Sequence, residues 1–258
     1  MLTSTIIMKQ LSKKIYLSLF ILSSLTACQN SQKEEQGQSK LIKIEGSQLT
    51  YALPSPQTDG TVSVERALEN RRSRRDFIDK AISTEELSQI LWAAYGVTSP
   101  KDNSALRGGL RTAPSAGAIY PFEIYVIIGK VKDIEAGVYK YIAKEHKIIR
   151  TINKDLREEL CAAALGQEFI KKAPVTIFYS AIYSRMTQRY GDRGGERYVC
   201  MDLGHSAQNI YLQAEALNLG TCAIGAFVDS KVAEVLQLTE EEEPLYIMPI
   251  GHYNRRPQ

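Results

Sequence analysis

Few of the sequence signatures that identify common enzyme classes occur in this chain of 258 residues. It has one tryptophan and four cysteines, and no two cysteines have the C-x-x-C spacing of a zinc or redox site. The histidines, His146, His205 and His252, show no metal-ligand spacing. The glycine patterns of dinucleotide-binding and P-loop folds are missing, as are H-E-x-x-H and G-x-S-x-G. The sequence therefore lacks the signatures of a Rossmann domain, a P-loop enzyme, a zinc hydrolase and an α/β-hydrolase nucleophile elbow.

A strong excess of one charge is also missing. Lysine and arginine total 32, aspartate and glutamate total 29, and the formal net charge is +3. This charge is too small to predict a nucleic-acid partner. Hydrophobic residues make up 44% and charged residues 24% of the chain, which is typical of a globular protein, and the length suits one substantial domain.

A hydrophobic run near the N-terminus is too short to cross a bilayer. Ile15–Leu25 has 11 residues, whereas a membrane helix needs about 20. It follows three lysines after Met8, a pattern typical of a secretory signal peptide, and either Met1 or Met8 is the start. The run ends in L-T-A-C, which resembles a bacterial lipobox. We therefore predict a lipoprotein signal peptide over residues 1–27 and a lipid on Cys28, which would anchor the protein to a membrane of the bacterial cell envelope, facing the periplasm or the exterior. The alternative is a signal peptide with a chance cysteine.

The stretch after the signal peptide is polar and rich in Gln, Lys, Glu and Ser. We predict a flexible tether over residues 28–45 and a folded domain over residues 46–258. The three cysteines of the folded domain are Cys161, Cys200 and Cys222. An odd set predicts no disulfide framework, and their apolar neighbours predict thiols in the core.

Hydrophobic periodicity predicts intermingled helices and strands. Phe122–Gly129 is a nearly continuous apolar run, typical of a central strand, and Gly137–Arg150 alternates as a hairpin does. Ser83 and Glu86 form a capping box ahead of a helix, and the longest helix is predicted over Tyr198–Leu219. Other helices are predicted at Val64–Asn70, Leu156–Leu165 and Ser230–Leu236, and other strands at Val175–Ile182 and Leu245–His252. We expect an α+β fold with a mostly antiparallel central sheet flanked by helices.

The polar stretch Tyr183–Arg197 carries four arginines ahead of the longest helix. It is predicted to be a long loop, either a mobile lid that sets substrate choice or a solvated insertion. On the helix itself, Asp202, His205 and Gln208 are predicted to be buried structural groups that make hydrogen bonds.

Four short stretches carry residues suited to binding a ligand. Arg71–Phe77 gathers four guanidinium groups and a hydroxyl that can hold a phosphate by charge-assisted hydrogen bonds, or it is a solvated basic turn. The small residues of Pro114–Gly117 would let a flat ring approach the backbone, or they form a plain turn before a strand. Gly220–Phe227 offers backbone N–H groups after the long helix, and the C-terminal tail holds Arg255 and Arg256.

In this order, the four stretches resemble the nitroreductase family, and more narrowly its SagB-type branch of thiazoline/oxazoline oxidase-like dehydrogenases. The resemblance runs from about Val64 to Pro257. It rests on the segments RRSRRDF, LSQILWAAYGVT, RTAPSAGAIYPFEIYVI, GVYKY, DLGHSAQNIYLQAEALNLGTCAIGAF and MPIGH. Many nitroreductases have Asn or Gln shortly after Ser-Ala-Gly, where this chain has Ala118 and Ile119. This difference suits the SagB-type branch and weakens the prediction of a quinone or nitro-compound reductase.

The resemblance implies a nitroreductase-like fold and an FMN cofactor bound noncovalently at the interface of an intertwined homodimer. The residues implied to hold the phosphate and ribityl chain are Arg71, Arg72, Ser73 and Arg75, joined by Arg255 or Arg256. Those implied to come from the other subunit and pack beside the isoalloxazine are Pro114, Ser115, Ala116 and Gly117. Ile224 and Gly225 would lie along the ring, with the Gly225 amide near its N5 edge.

The resemblance also implies hydride transfer through flavin N5 on a small organic or peptide-derived substrate. The partner substrate would be NAD(P)H or another electron donor; because NAD(P)H is scarce outside the cytoplasm, another donor or the oxidase direction is favoured. Arg74 or an arginine of Tyr183–Arg197 would stabilise the reduced flavin. The base for oxidation would be Tyr183, Tyr190 or Lys171. Two alternatives to an enzyme remain: a surface lipoprotein that binds a ligand, and a flavin-binding protein without redox turnover.

Overall fold

The computed structural model describes residues 40–44, 46, 48–101 and 107–254. The strands among these residues are β1 (Ile42–Ile44), β2 (Thr50–Ala52), β3 (Val97–Pro100), β4 (Gly109–Arg111), β5 (Phe122–Ile128), β6 (Gly137–Ile142), β7 (Lys147–Ile152), β8 (Val175–Ala181), β9 (Leu219–Thr221) and β10 (Glu243–His252). The α-helices are α1 (Val64–Asn70), α2 (Thr84–Tyr95), α3 (Arg157–Ala163), α4 (Phe169–Lys172), α5 (Tyr183–Tyr190), α6 (Val199–Ala216) and α7 (Asp229–Leu236). A π-helix covers Gly194–Tyr198, and a short 3-10 turn covers Ala116–Ala118.

One large sheet organises the fold. Its strand order is β1-β2-β7-β6-β5-β8-β10-β9, and all neighbouring strands are antiparallel. Strands β5 and β8 are central and buried along their whole length, and β6 and β7 form the predicted hairpin. The predicted α+β fold with an antiparallel central sheet flanked by helices is confirmed.

The central strand β5 separates two hydrophobic cores, because successive side chains of a strand point to opposite faces of a sheet. Ile124, Val126 and Ile128 belong to the core that includes α2 and α6. Tyr125 and Ile127 belong to the core that includes α3 and α7. Burial on both faces explains why this strand is an unbroken apolar run in the sequence.

Two predicted boundaries are wrong. The stretch predicted as one long loop over Tyr183–Arg197 contains α5 and most of the π-helix. Only Met186 of α5 is buried, so this helix shows too little apolar periodicity to be recognised in the sequence. The longest helix ends at Ala216, and Leu219–Thr221 forms β9 because it pairs with β10, a contact with a distant part of the chain.

The N-terminal predictions fall largely outside the described residues. Ile42–Ile44, in the stretch predicted as tether, forms β1 and pairs with β2. Residues 1–39 are not among those described, so the signal peptide, the lipid on Cys28 and most of the tether stay predictions. Within the described ranges, no helix has the length and apolar character needed to span a membrane.

A half-buried histidine ties the β6–β7 turn to the N-terminal end of the domain. His146 Nδ1 lies 2.8 Å from the Tyr141 hydroxyl, and Nε2 lies 2.7 Å from Ser88 Oγ and 3.0 Å from the carbonyl of Pro54. A neutral ring with its proton on Nε2 satisfies this set, since it donates to Pro54 and accepts from Tyr141. Burial lowers the pKa of His146, so the folded protein resists a second proton.

We expect the free energy of unfolding to decrease as the pH falls below about 6.5, the pKa of an unfolded histidine. The unfolded state then binds a proton that the folded state resists, so the stability present above this pH is lost below it. Urea titrations between about pH 5 and pH 7.5 measure the effect. His146→Gln should remove this pH dependence, and His205→Gln, at an exposed position, should keep it. A pH dependence that survives in His146→Gln contradicts the assignment.

Candidate functional site

The basic segment, Arg71–Arg75, lies against β9. Ser73 forms a bridge with Thr221, and the Arg74 N–H donates to the Thr221 carbonyl at 2.9 Å. The Tyr211 hydroxyl of α6 lies 3.1 Å from Ser73 Oγ and accepts the N–H of Ala223 at 2.8 Å. The fold therefore brings the predicted phosphate-binding stretch and the Gly220–Phe227 stretch together. The sequence analysis missed Tyr211 as a site residue. The one feature that could have indicated its role is a polar hydroxyl among the otherwise apolar residues of the long helix.

Aromatic rings orient three guanidinium groups of the basic segment. The distances from guanidinium carbon to ring centroid are 5.3 Å for Arg71 over Tyr211, 4.7 Å for Arg74 over Tyr253 and 5.8 Å for Arg75 over Phe169. A guanidinium that rests its face on a ring keeps its N–H donors at the edge available for an anion. Arg72 uses one of its nitrogens to donate to the carbonyls of Glu69 and Arg71.

The positive charge of the basic segment is not neutralised within the described chain. Among the described residues, Arg71, Arg72, Arg74 and Arg75 make no ion pair with a carboxylate. Arg74 Nε and Thr221 Oγ1 are buried without a hydrogen-bond partner. Guanidinium donors without a carboxylate partner suit the phosphate of FMN. The arginines of the basic segment therefore fit the implied cofactor.

The end of β10 lies beside the residues that follow the basic segment. Tyr253 forms a bridge with Phe77, and the N–H of Ile78 donates to the carbonyl of His252 at 2.9 Å. Arg255 and Arg256 follow directly, but they lie outside the described residues, and their role in phosphate binding stays a prediction.

The stretch predicted to lie along the flavin ring is held by β10. Ile224 is buried and exchanges backbone hydrogen bonds of 2.9 and 3.0 Å with Ile247. Gly225 is exposed, and a Cβ on it would stand 3.6 Å from the Tyr246 ring, an ordinary contact distance. Its backbone is therefore open to a flat group.

The serine loop, Pro114–Gly117, is fastened to α6 through one carboxylate. Ser115 Oγ donates to Asp202 Oδ2 at 2.5 Å, and the Ala116 N–H donates to Asp202 Oδ1 at 3.1 Å. Ser115 Oγ also accepts the Tyr120 N–H at 2.9 Å. Burial raises the pKa of the Asp202 carboxyl, and the hydrogen bonds from Ser115 and Ala116 oppose that shift. The prediction that Asp202 is a buried, hydrogen-bonded group is confirmed.

The backbone just after the serine loop is strained. Ala118 and Tyr120 have φ values of 54° and 56°, which residues other than glycine rarely adopt, and they follow Gly117 at φ 60°, which glycine tolerates. Arg107 donates to the carbonyls of Tyr120 and Phe122, which helps hold this conformation.

Glu123 in turn holds two arginines beside the start of β5. Its carboxylate lies 2.6 Å from both Arg107 and Arg185. Burial opposes its ionisation, but the charges of Arg107, Lys140 and Arg185 keep the pKa of Glu123 below its usual value. Asp202 thus supports the loop that is predicted to touch the flavin, and Arg107, held by Glu123, supports the residues that follow it.

Of the three candidate bases, Tyr190 is the one beside the serine loop. A Cβ on Gly117 would stand 2.6 Å from the Tyr190 hydroxyl, and Arg189 Nη1 donates to the Gly117 carbonyl at 3.4 Å. Lys171 forms ion pairs with two glutamates at 3.0 and 3.2 Å. Burial raises the pKa of Tyr183 to about 12, which disfavours it as a base near neutral pH.

The serine loop and the basic segment contact opposite sides of α6. Asp202 and Tyr211 are nine residues apart, which is two and a half turns at 3.6 residues per turn. The face between them is exposed at Met201, His205 and Gln208. The predictions that His205 and Gln208 are buried are therefore wrong.

The three cysteines of the folded domain differ in their burial. Cys161 and Cys222 are buried, as predicted, whereas Cys200 on α6 is exposed, and the prediction of a core thiol there is wrong. No group of three or more metal-ligating side chains occurs in the described part of the chain.

Comparison with known proteins identifies relatives over most of the chain. The profile of the Nitroreductase family matches residues 68–252. Protein MJ1384 of Methanocaldococcus jannaschii, named as a nitroreductase, is 46% identical over 190 residues, 74% of this chain and 91% of that protein. The trifolitoxin-processing protein TfxB of Rhizobium leguminosarum bv. trifolii is 30% identical over 164 residues, 61% of this chain and 43% of that protein. The FMN reductase (NADPH) of Bacillus subtilis is 27% identical over 135 residues, 47% of this chain and 54% of that protein.

A solved structure agrees with these relatives. A protein of Ralstonia eutropha named as a nitroreductase superposes with a TM-score of 0.68 at 28% identity, covering 84% of this chain and 100% of that one. This chain spans about half the length of TfxB and of the FMN reductase. It belongs to the nitroreductase family.

Proposed function

We propose that this protein is an FMN-dependent oxidoreductase that transfers hydride to or from a small organic or peptide-derived substrate. The observation that carries the proposal is the basic segment, whose backbone lies against β9 and whose four guanidinium groups have no carboxylate partner among the described residues. Membership of the nitroreductase family and a relative named as an FMN reductase support a flavin cofactor.

The chain's own residues would bind and orient the cofactor. Arg71, Arg72 and Arg75 would donate to the phosphate, with Ser73 on the ribityl chain, and Gly225 would offer open backbone to the ring. When bound, FMN supplies two-electron redox chemistry, taking a hydride from one substrate and giving it to another. The apolar residues around Ile224 would keep water from that side of the ring.

The active unit in this proposal is a homodimer. The exposed face of α6 lies between the side that holds the serine loop and the side that holds the basic segment. A second copy laid on this face would bring the serine loop of one copy towards the basic segment of the other. The exposed fraction of Met201, 54%, supports an apolar contact there.

The predicted location of the protein outside the cytoplasm and one relative both favour oxidation of the substrate as the direction of the reaction. TfxB is named as a trifolitoxin-processing protein, which supports SagB-type oxidation of a peptide-derived substrate. A lipid anchor on Cys28 would place the domain where NAD(P)H is scarce, so a different donor or the oxidase direction is favoured. Tyr190 is our candidate for the base.

The absorbance spectrum tests the proposal. Residues 28–258 with Cys28→Ser are expressed without the leader and purified by size exclusion. We expect a yellow dimer that releases FMN on denaturation and whose colour bleaches when a reductant is added. A colourless protein that does not take up added FMN would refute the proposal, and bound flavin that no donor or substrate turns over would indicate a binding protein.

A further inference from the structure

Two arginines and two tyrosines form a wall beside the serine loop. This arginine–tyrosine wall consists of Arg189, Tyr190, Arg193 and Tyr198. The rings of Tyr190 and Tyr198 meet edge to face at 5.1 Å. Arg189 lies over the Tyr190 ring at 5.4 Å, and Arg193 Nε donates to the Tyr198 hydroxyl at 3.0 Å. The aromatic pair is therefore bordered by a cation at each ring.

Close backbone packing fixes the wall against the serine loop. Gly117 has no Cβ, and one there would stand 2.8 Å from Arg189 Nη1 and 2.6 Å from the Tyr190 hydroxyl, distances that force a shift. On the far side, a Cβ on Gly194 would stand 2.8 Å from the Met186 carbonyl, so the π-helix packs tightly on α5. Close contacts at Gly117 and Gly194 thus position the wall.

The arginines of the wall retain unused hydrogen-bond donors. Among the described residues, no carboxylate lies within ion-pair distance of Arg189 or Arg193, although Asp192 and Glu196 belong to the same stretch. Within the described part of the chain, Arg189 makes one long hydrogen bond, to Gly117, and Arg193 makes one, to Tyr198. Both arginines are exposed. A guanidinium with free edge donors binds carboxylates and phosphates strongly.

We infer that the arginine–tyrosine wall binds an oxyanion, a carboxylate or a phosphate, carried by a flat aromatic substrate. The inference rests on the proposed function, which places the serine loop beside the flavin ring. The edges of Tyr190 and Tyr198 would contact the aromatic part of the substrate, and Arg189 would hold the anionic group. The wall would thus select negatively charged substrates.

Binding of matched aromatic probes tests the inference without turnover. The full chain, purified with its bound flavin, is titrated calorimetrically with 4-nitrobenzoate, 4-nitrophenyl phosphate and the neutral methyl 4-nitrobenzoate. We expect at least one anion to bind about tenfold more tightly than the ester, the effect of one charge-assisted hydrogen bond. A gain for one anion alone identifies the group as a carboxylate or as a phosphate.

Three variants locate the effect. Arg189→Gln should reduce the anion's advantage to nearly nothing while the affinity for the ester and the flavin content stay unchanged. Arg189→Lys should keep part of the advantage, because it retains the charge and loses the planar fork. Arg66→Gln is the matched control, since Arg66 is an exposed arginine on α1 that pairs with Glu69 at 2.8 Å, and it should behave as the wild type.

The results separate the failure of this inference from failure of the proposed function. Equal affinities for the anions and the ester in the wild type overturn the inference, as does an equal loss for all probes in Arg189→Gln or a matching change in Arg66→Gln. The flavin absorbance of the same samples reports on the proposed function. A yellow protein that shows no preference for anions would refute the inferred class of anionic substrates and leave the proposed flavin-dependent function standing.

Discussion

Replacing Asp202 by asparagine should destabilise the protein by about 1–3 kcal/mol, the cost of leaving a buried donor without a partner. Asp202 is 3% exposed and accepts both the Ser115 hydroxyl and the Ala116 N–H. Asparagine has nearly the same shape but only one accepting oxygen, so its amide N–H₂ group would face one of the two donors. Urea denaturation at neutral pH measures the loss in the free energy of unfolding.

The same substitution should weaken FMN binding, because the serine loop loses its attachment to α6. Titration of apoprotein with FMN, followed by flavin fluorescence, measures the affinity. Asp192→Asn is the matched control: Asp192 is an exposed carboxylate seven residues before the start of α6, and its loss should change neither quantity. If Asp202→Asn keeps wild-type stability, the carboxylate does not fasten the loop as described.

Replacing Arg75 by alanine should lower the affinity for FMN about tenfold, because one charge-assisted hydrogen bond to the phosphate is lost. Arg75 is exposed and lies over the Phe169 ring, so its guanidinium is oriented without a carboxylate partner among the described residues. The free energy of unfolding of the apoprotein should change by less than about 1 kcal/mol, since the exposed side chain contributes a surface cation–π contact with Phe169. Fluorescence titration with FMN and with riboflavin measures the effect.

Riboflavin lacks the phosphate and separates the two interpretations of this variant. If Arg75 holds the phosphate, the affinity for riboflavin stays unchanged while the affinity for FMN decreases. Arg66→Ala, in the first turn of α1 and at a residue paired with Glu69, serves as the control and should match the wild type for both ligands. Unchanged FMN affinity in Arg75→Ala would mean that the phosphate lies elsewhere.

The periodic parts of the fold could be predicted from the sequence because burial leaves a local pattern. Phe122–Ile128 is apolar at every position since both faces of β5 are covered, and Ser83 and Glu86 signal the start of α2 through hydrogen bonds within one turn. Helix α5 was missed because a single residue of it, Met186, is buried. Strand β9 was missed because three residues become a strand only by pairing with β10.

The candidate site was predictable in its components and not in its arrangement. The arginines of Arg71–Arg75 and the small residues of the serine loop stand out by composition. Nothing local to them indicates that Tyr211 joins the first stretch to Ala223 or that Asp202 holds the second. Both links come from α6, which is more than eighty residues away along the chain from either stretch.

The sequence by itself determined the α+β class, the two-sided burial of the central strand and the residue types available to hold a phosphorylated ring. Only the tertiary structure decided that the serine loop and the basic segment lie on opposite sides of one helix, and that Arg189 and Tyr190 stand against Gly117. The physical reason is that side-chain patterns report burial within a few residues of themselves, whereas the rotation of a helix by 100° per residue sets which distant loops share a side.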